Sequence, residues 1–285
     1  MYWSNYHSHC TFCDGRSSME DFVRFAISKG IKKYGFSSHA PLPFQTKWNM
    51  EKDNFNDYQI EFQRLKNKYE NQIELFFSLE VDYIHDFVEI QNCFINGKSF
   101  DYLIGSIHYL EPMSYENYFC IDGDIKEFDK GLQQLYDGDI QLAVKRFFEI
   151  TNLMIEKGGL DIIGHFDKIS FNAAYYKDFD ITSLWYKNII SSTLECIKAK
   201  NILLEINTKS LNEKGITFPH QQFFPMINDL QIPIVVNSDC HYPTNVIDGF
   251  IPAYKMLKNN GFTHLHQLIN GKWQGVEFCE AGMIE

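Results

Sequence analysis

Seven short, almost continuous apolar runs recur along this chain, at 4–7 (SNYH), 34–39 (YGFSSH), 73–83 (IELFFSLEVDY), 101–108 (DYLIGSIH), 160–166 (LDIIGHF), 202–208 (ILLEINT) and 232–241 (IPIVVNSDCH). Runs of this kind suit strands buried on both faces, as in a parallel sheet covered by helices. Amphipathic stretches lie between them. In 17–30, Ser18 followed by Asp21 three residues later forms a near capping box, and Gly30 marks the stop. The stretches 54–72, 139–159, 181–201, 218–231 and 245–261 also predict helices, with Pro225 and Pro252 expected to end or kink the last two. Strand and helix alternating in this way predict a parallel α/β fold, and seven units favour a closed or nearly closed barrel over an open sheet. The length, 285 residues, is at the upper end of what one hydrophobic core supports, and the chain is read as a single domain over 1–285. Residues 84–100 read as a short connection and 109–138 as a loop-rich insertion able to cap a site.

Composition narrows the function classes. The net charge of −11 leaves no basic excess to neutralise a phosphate backbone or an anionic lipid surface. A nucleic-acid polymer and a membrane are therefore not expected partners, whereas a small phosphorylated ligand held through metal ions is compatible with this charge. No apolar run reaches the length of a membrane span, and no leader pattern is seen at the N-terminus. Seven scattered cysteines, at 10, 13, 93, 120, 196, 240 and 279, read as reduced thiols, which points to the cytoplasm.

The ends of the apolar runs carry the chemistry. The first ends at His7, with His9 two residues on; the second ends at His39; the third contains Glu80; the fourth ends at His108. The fifth ends near His165, the sixth contains Glu205 and Asn207, and the seventh ends with Asp239 and His241. In a parallel barrel all C-terminal strand ends lie on one face, so these residues converge on one mouth. Each is of a type that can ligate a divalent metal. A single histidine at a strand end is more often a packing or capping residue, and His-x-His alone only places two rings on one strand face. The recurrence at six separate ends is the signal. His85, His220, His264 and His266 lie off these ends and read as surface or packing residues. Cys10-x-x-Cys13 has no second cysteine pair, so a four-ligand structural zinc site is incomplete, and a redox motif is only partly supported by context. Asp14, hard and anionic on the same loop, is the better ligand candidate.

The segments YHSHCTFCDG, GFSSHAPLP, LEVDY, GSIHYL, IGHFDKI, EINT and NSDCH together resemble the successive motifs of the polymerase and histidinol phosphatase (PHP) family, most of all its histidinol-phosphatase branch. The resemblance implies a distorted (β/α)7 barrel with three divalent metal ions (Zn, Mn or Fe). It implies one site from His7, His9, Glu80 and Asp239; a second sharing Glu80 and adding His108 and His165; and a third from Asp14, His39 and His241. Asp14 stands where some members carry histidine, which makes the third site harder and more anionic. The implied reaction is hydrolysis of a phosphomonoester, L-histidinol phosphate in histidine biosynthesis, by a hydroxide bridging the two ions that share Glu80. Glu80, Asp239 and His241 are the candidate catalytic residues, with Asp239 or a coordinated water as proton donor to the leaving group. Arg16, Lys168, Lys209 and Lys214 are candidate phosphate-binding cations. Glu80, Glu205 and Glu111 are candidates for pairing with the organic half, which the aromatic segments 39–50 and 109–138 are placed to recognise. The alternatives are a related phosphatase or phosphodiesterase acting on nucleotides or other small esters, and a non-catalytic metal-binding scaffold.

Overall fold

Ser18 accepts a hydrogen bond from the Asp21 backbone N–H at 3.2 Å and donates its hydroxyl to the Asp21 carboxylate at 2.7 Å. That reciprocal cap starts α1 (Met19–Ser28), and Gly30, with φ of 77°, turns the chain out of it into β2. In the computed structural model, which describes residues 1–44, 46–88, 99–114 and 117–284, the same logic repeats along the chain. The strands and helices up to the middle of the chain are β1 (Trp3–Asn5), α1, β2 (Ile31–Phe36), α2 (Phe55–Tyr69), β3 (Glu74–Phe77), β4 (Glu80–Asp82), β5 (Ile104–Ser106), β6 (Tyr109–Ser114), β7 (Asn117–Cys120), α3 (Ile125–Tyr136) and α4 (Ile140–Lys157). Then come β8 (Ile162–Ile163), α5 (Ser170–Ala173), α6 (Leu184–Lys200), β9 (Leu203–Asn207), α7 (Leu211–Lys214), α8 (Phe224–Asp229), β10 (Ile234–Asn237) and α9 (Phe250–Asn259). The chain finishes with β11 (His264–Ile269), β12 (Lys272–Cys279) and β13 (Gly282–Met283).

The parallel strands form two sheets, β1-β2-β3 and β10-β9-β8-β5-β4. Backbone contacts join them at both seams. Ser8 bridges Cys240, with the His9 N–H donating to the Cys240 carbonyl at 3.0 Å. His39 bridges Glu80, with the Ala40 N–H donating to the Glu80 carbonyl at 2.8 Å. With β3 and β4 taken as one interrupted strand, the expected seven-position distorted (β/α) barrel results. Tyr6, Phe76, Tyr102, Ile104, Ile162, Leu203 and Val235 form an inner core, joined by Leu268 of β11 and packed by Trp273 of β12. Ile104, Ile162 and Leu203 each begin their strand, so the antiparallel β11-β12-β13 sheet covers the end of the barrel opposite the strand C-termini. The Tyr6 hydroxyl pins it by accepting the Leu268 N–H at 3.0 Å. Among the described residues, no helix is long and apolar enough to cross a membrane.

Two expectations need correction, and one sheet is additional. The insertion 109–138 is not loop-rich: β6 and β7 pair as an antiparallel hairpin and α3 follows, capped by Asp124 accepting from the Lys126 and Glu127 N–H groups. Its Phe119 and Phe128 are buried edge-to-face, and this supplies the packing that orders the segment. Pro225 and Pro252 neither end nor kink their helices but sit at the helix starts. Pro225 lies in the first turn of α8, and Pro252 is the third residue of α9, where its missing N–H would have had no intrahelical partner. The C-terminal antiparallel sheet carries no strand-end chemistry and was not anticipated. Of the 84–100 connection, residues 89–98, including Cys93, lie outside the described residues.

Candidate metal centre

The hydrogen-bonded strands stop earlier than the apolar runs suggest. β1 ends at Asn5, β5 at Ser106, β8 at Ile163 and β10 at Asn237, and His7, His108, His165 and Asp239 each sit two residues beyond. His39 lies three residues past β2 and His241 four past β10, whereas Glu80 opens β4. The candidate side chains therefore hang on the first turn after each strand. Two of them are held in the left-handed region, His165 with φ of 45° and Asp239 with φ of 49°. A non-glycine residue is kept there only when its surroundings over-determine it, and such strain concentrates at functional sites.

The structure brings all nine expected ligand residues together. His7 Nε2 lies 3.2 Å from Glu80 Oε2 and 3.8 Å from Asp239 Oδ1. His9 Nε2 lies 3.2 Å from Asp239 Oδ1 and 3.5 Å from Glu80 Oε2. His165 Nε2 is 2.8 Å from Glu80 Oε1 and 3.1 Å from His108 Nε2. His39 Nδ1 is 3.1 Å from Glu80 Oε2, and His241 Nε2 is 3.3 Å from Asp14 Oδ2. The arrangement is one cluster of overlapping groups rather than three separate sets: His9, Asp14, His39 and His241; His7, His9 and Asp239; His39, Glu80 and His108. Within each group the ligand atoms lie within 4.8 Å of one another.

The donor set fits divalent cations. His7 Nε2, His9 Nε2, His39 Nδ1 and Asp14 Oδ1 are buried without a hydrogen-bond partner among the described residues. Such atoms are costly unless something fills the space between them. Tetrahedral ligation at the usual Zn–N bond length spaces donors about 3.3 Å apart, near the separations found here. The far ring nitrogens are also held: His7 Nδ1 by Glu205 at 2.7 Å, His108 Nδ1 by Asp82, and His241 Nδ1 by the Asp239 carbonyl at 3.0 Å. Outer partners of this type fix the tautomer that presents the other nitrogen to an ion.

Burial alone would raise the carboxyls, but the neighbouring cations and rings win. Glu80 is held well below the usual range by His7, His39 and His165, and Asp239 by Lys209, His7 and His9. Asp14 is depressed by His241, His39 and His9 against the same burial term. Burial pushes the Cys10 thiol up to about 11 and Cys13 up to about 12, so both are protonated at neutral pH.

The four expected phosphate cations separate. Lys209 Nζ is 3.2 Å from Asp239 Oδ1, and the buried Lys168 reaches Asp122 Oδ1 at 3.1 Å. The Lys209 side chain is 38% exposed; partial desolvation opposes its charge, but Asp239, Asp122 and Asp14 raise its pKa. Arg16 is exposed, with its backbone N–H donating to the His241 carbonyl at 2.7 Å, which puts it on the rim. Lys214 is exposed at the end of α7, with no cluster contact among the described residues. The glutamates expected to greet an organic group are engaged elsewhere: Glu205 with His7, Asn207 and Asn237, and Glu111 with Arg146 and Tyr136. Asp82, Asp122, Asn237 and Ser106 were missed. Asp82 alone left a trace, two residues after Glu80 on the same strand face. Beside the cluster, a cavity of about 350 Å³ is lined by Phe44, Trp48, Tyr109, Tyr118 and Glu127, among others. The Trp48 ring lies 6.3 Å from His39 and 6.1 Å from His108.

Comparison with known proteins agrees with this geometry. The PHP domain model matches residues 5–209. The histidinol-phosphatase of Bacillus subtilis is 26% identical over 258 residues, covering 84% of this chain and 94% of that one. The histidinol-phosphatase of Lactococcus lactis is 24% identical over 270 residues, covering 92% of each. Among solved structures, hisK of Listeria monocytogenes superposes with a TM-score of 0.77 at 24% identity, covering 87% of this chain and 98% of the other. The histidinol phosphate phosphatase of Lactococcus lactis, solved with zinc, L-histidinol and phosphate, superposes with a TM-score of 0.67 at 19% identity, covering 99% of both chains. A family model spanning most of the barrel, over a chain whose strand ends converge on one imidazole and carboxylate cluster, places this protein in the PHP domain family.

Proposed function

We propose that this chain is a metal-dependent phosphomonoesterase that converts L-histidinol phosphate to L-histidinol and phosphate, a step of histidine biosynthesis. The convergence of six histidines with Glu80, Asp14 and Asp239 at one end of the barrel carries the reading. The names of the curated relatives support the choice of ester. Divalent ions, when bound, supply Lewis acidity to a phosphoryl oxygen and acidify water toward neutral pH. His7, His9, Glu80 and Asp239 would hold one; Glu80, His108 and His165 a second; Asp14, His39 and His241 a third. The free cysteines among the described residues fit a reducing cytoplasm, and one barrel over 1–285 is the unit we propose to be active.

The chain's own groups divide the remaining work. Lys209 stays protonated, so it attracts the phosphate and cannot serve as a base. Lys168, fixed by Asp122, adds a second cation. Asp239 is kept ionised by Lys209 and accepts a hydrogen bond from Asn207 Nδ2 at 3.1 Å. It is thus suited to ligation as a carboxylate, not to donating a proton to the leaving group. The indole N–H of Trp48 is buried without an acceptor among the described residues, in a wall of stacked aromatic rings. A flat, acceptor-bearing ring such as imidazole satisfies that donor. Trp48→Ala is expected to raise KM for histidinol phosphate about tenfold or more, in line with loss of a buried hydrogen bond and ring contact, with a smaller change in kcat. An unchanged KM would remove the cavity from substrate recognition.

The deciding assay is phosphate release from L-histidinol phosphate against a panel of mononucleotides and simple esters, with added Mn²⁺ or Zn²⁺ and a chelator control. A chelator-sensitive preference for histidinol phosphate is expected. Turnover confined to nucleotides would favour the nucleotide phosphatase reading. Bound metal with no turnover on any ester would favour a scaffold.

A further inference from the structure

The Cys10-x-x-Cys13 motif takes no part in the reaction above. Cys10 is fully buried, with its sulfur 3.4 Å from the Ser38 hydroxyl. Cys13 Sγ lies 3.5 Å from His9 Nδ1. The backbone holds it there: the Cys13 N–H donates to the Cys10 carbonyl at 3.0 Å and the Gly15 N–H to the same oxygen at 3.1 Å. A Cβ on Gly15 would collide with the His9 and Cys10 backbone, so only glycine permits this turn.

His9 occupies a demanding position. Its ring is sandwiched between His39 and His241, with centroids 4.4 Å and 4.3 Å away. Its Nε2 is buried, has no hydrogen-bond partner among the described residues, and faces Asp239 and Glu80. A neutral imidazole carries one proton, and the nitrogen that finds an acceptor keeps it. His7 and His108 have carboxylates for that purpose and His241 a backbone carbonyl. For His9, the nearest carboxylate oxygen on the Nδ1 side, Asp14 Oδ1, is 4.0 Å away.

We propose that Cys13 is a positioning residue of the metal centre: its sulfur accepts the Nδ1 proton of His9 and keeps the Nε2 lone pair turned toward Asp239 and Glu80. The inference rests on the metal centre proposed above. Thiol sulfur is a weak acceptor, so His9 is the least firmly oriented of these four rings. His9 belongs to two of the three ligand groups, His9–Asp14–His39–His241 and His7–His9–Asp239, and is absent from His39–Glu80–His108. In the assignment above His9 holds only the ion it shares with His7, Glu80 and Asp239, so removing Cys13 weakens that ion and spares the one held by Glu80, His108 and His165.

The test titrates zinc into the full-length wild type, C13A, C13S and D82N in chelator-buffered solutions. Bound metal is measured by elemental analysis, and melting of the metal-free proteins is followed alongside. C13A is expected to bind one ion about tenfold less tightly, the low end of the range for outer partners, while the ion held by His108 and His165 keeps wild-type affinity. Its metal-free melting temperature should match that of wild type, and C13S, with an acceptor restored, should regain most of the affinity. D82N, which acts on His108, should instead weaken the ion that C13A spares. Wild-type affinity in C13A overturns the proposal. So does an equal loss in C13A and C13S that tracks lowered metal-free melting, because that marks simple packing. C13V, similar in volume but without an acceptor, replaces C13A should the latter fail to fold. A wild type that binds no zinc would defeat the metal centre itself, an outcome distinct from either.

Discussion

Replacing Glu80 with glutamine is expected to lower phosphate release by about three orders of magnitude and to strip metal from the protein, a larger effect than loss of any outer partner. Glu80 is 1% exposed and its two oxygens meet five rings of the cluster. Its Oε2 lies 3.1 Å from His39, 3.2 Å from His7 and 3.5 Å from His9. Its Oε1 lies 2.8 Å from His165 and 3.8 Å from His108, and accepts the Ser106 hydroxyl at 2.6 Å. Glutamine preserves the shape and the Ser106 bond, but it removes the negative charge and turns an N–H2 toward ring lone pairs. One substitution thus acts on five imidazoles at once. Glu205→Gln provides the contrast, since Glu205 reaches the cluster only through His7 Nδ1, and its loss should cost metal affinity about 10–100-fold. The measurements are kcat, KM and metal content, with circular dichroism to confirm the fold. Glu80→Gln retaining full metal and activity within tenfold of wild type would refute its place at the centre.

Chelation is expected to abolish turnover, to be reversed by added Zn²⁺ or Mn²⁺, and to lower the melting temperature by about 5–10 °C per ion removed. The magnitude follows from linkage: an ion present at 100 times its Kd stabilises the folded state by about 2.7 kcal/mol, and each kcal/mol moves the melting point of a chain of this size by about 2–4 °C. The physical cause is local. Glu80 and Asp239 are almost fully buried and ionised, and without cations their charge is offset, among the described residues, only by the rings, Lys209 and two neutral donors, Ser106 and Asn207. Elemental analysis confirms removal, and calorimetry with and without chelator gives the shift. An unchanged melting temperature after verified removal would mean that the carboxylates and histidines satisfy one another without ions.

The amino-acid sequence was enough to locate the barrel and to pick out the imidazoles and carboxylates that gather at its mouth, because both rest on short-range patterns. Apolar runs such as 202–208 and 232–241 identify buried parallel strands, and a ligand type shortly after each run identifies the face on which they converge. The Ser18–Asp21 cap was equally legible, since a capping box is local. The limits of local reading show at Pro225 and Pro252, where the pattern marked a helix but not which end of it the proline occupied. They show again in 109–138, where a hairpin and a capped helix take their order from packing against other parts of the chain.

What only the tertiary structure decided is which atom meets which. Strand stagger and the left-handed turns at His165 and Asp239 determine that Glu80 stands between five rings. They also make Asp82 and Glu205 hold rings, commit Lys209 to Asp239, and leave Lys214 outside. These pairings join residues separated in sequence by up to 198 positions, as His7 and Glu205 are. The chain's local periodicity carries the identity of each partner, but the distance between them is a property of barrel closure, which no single segment encodes.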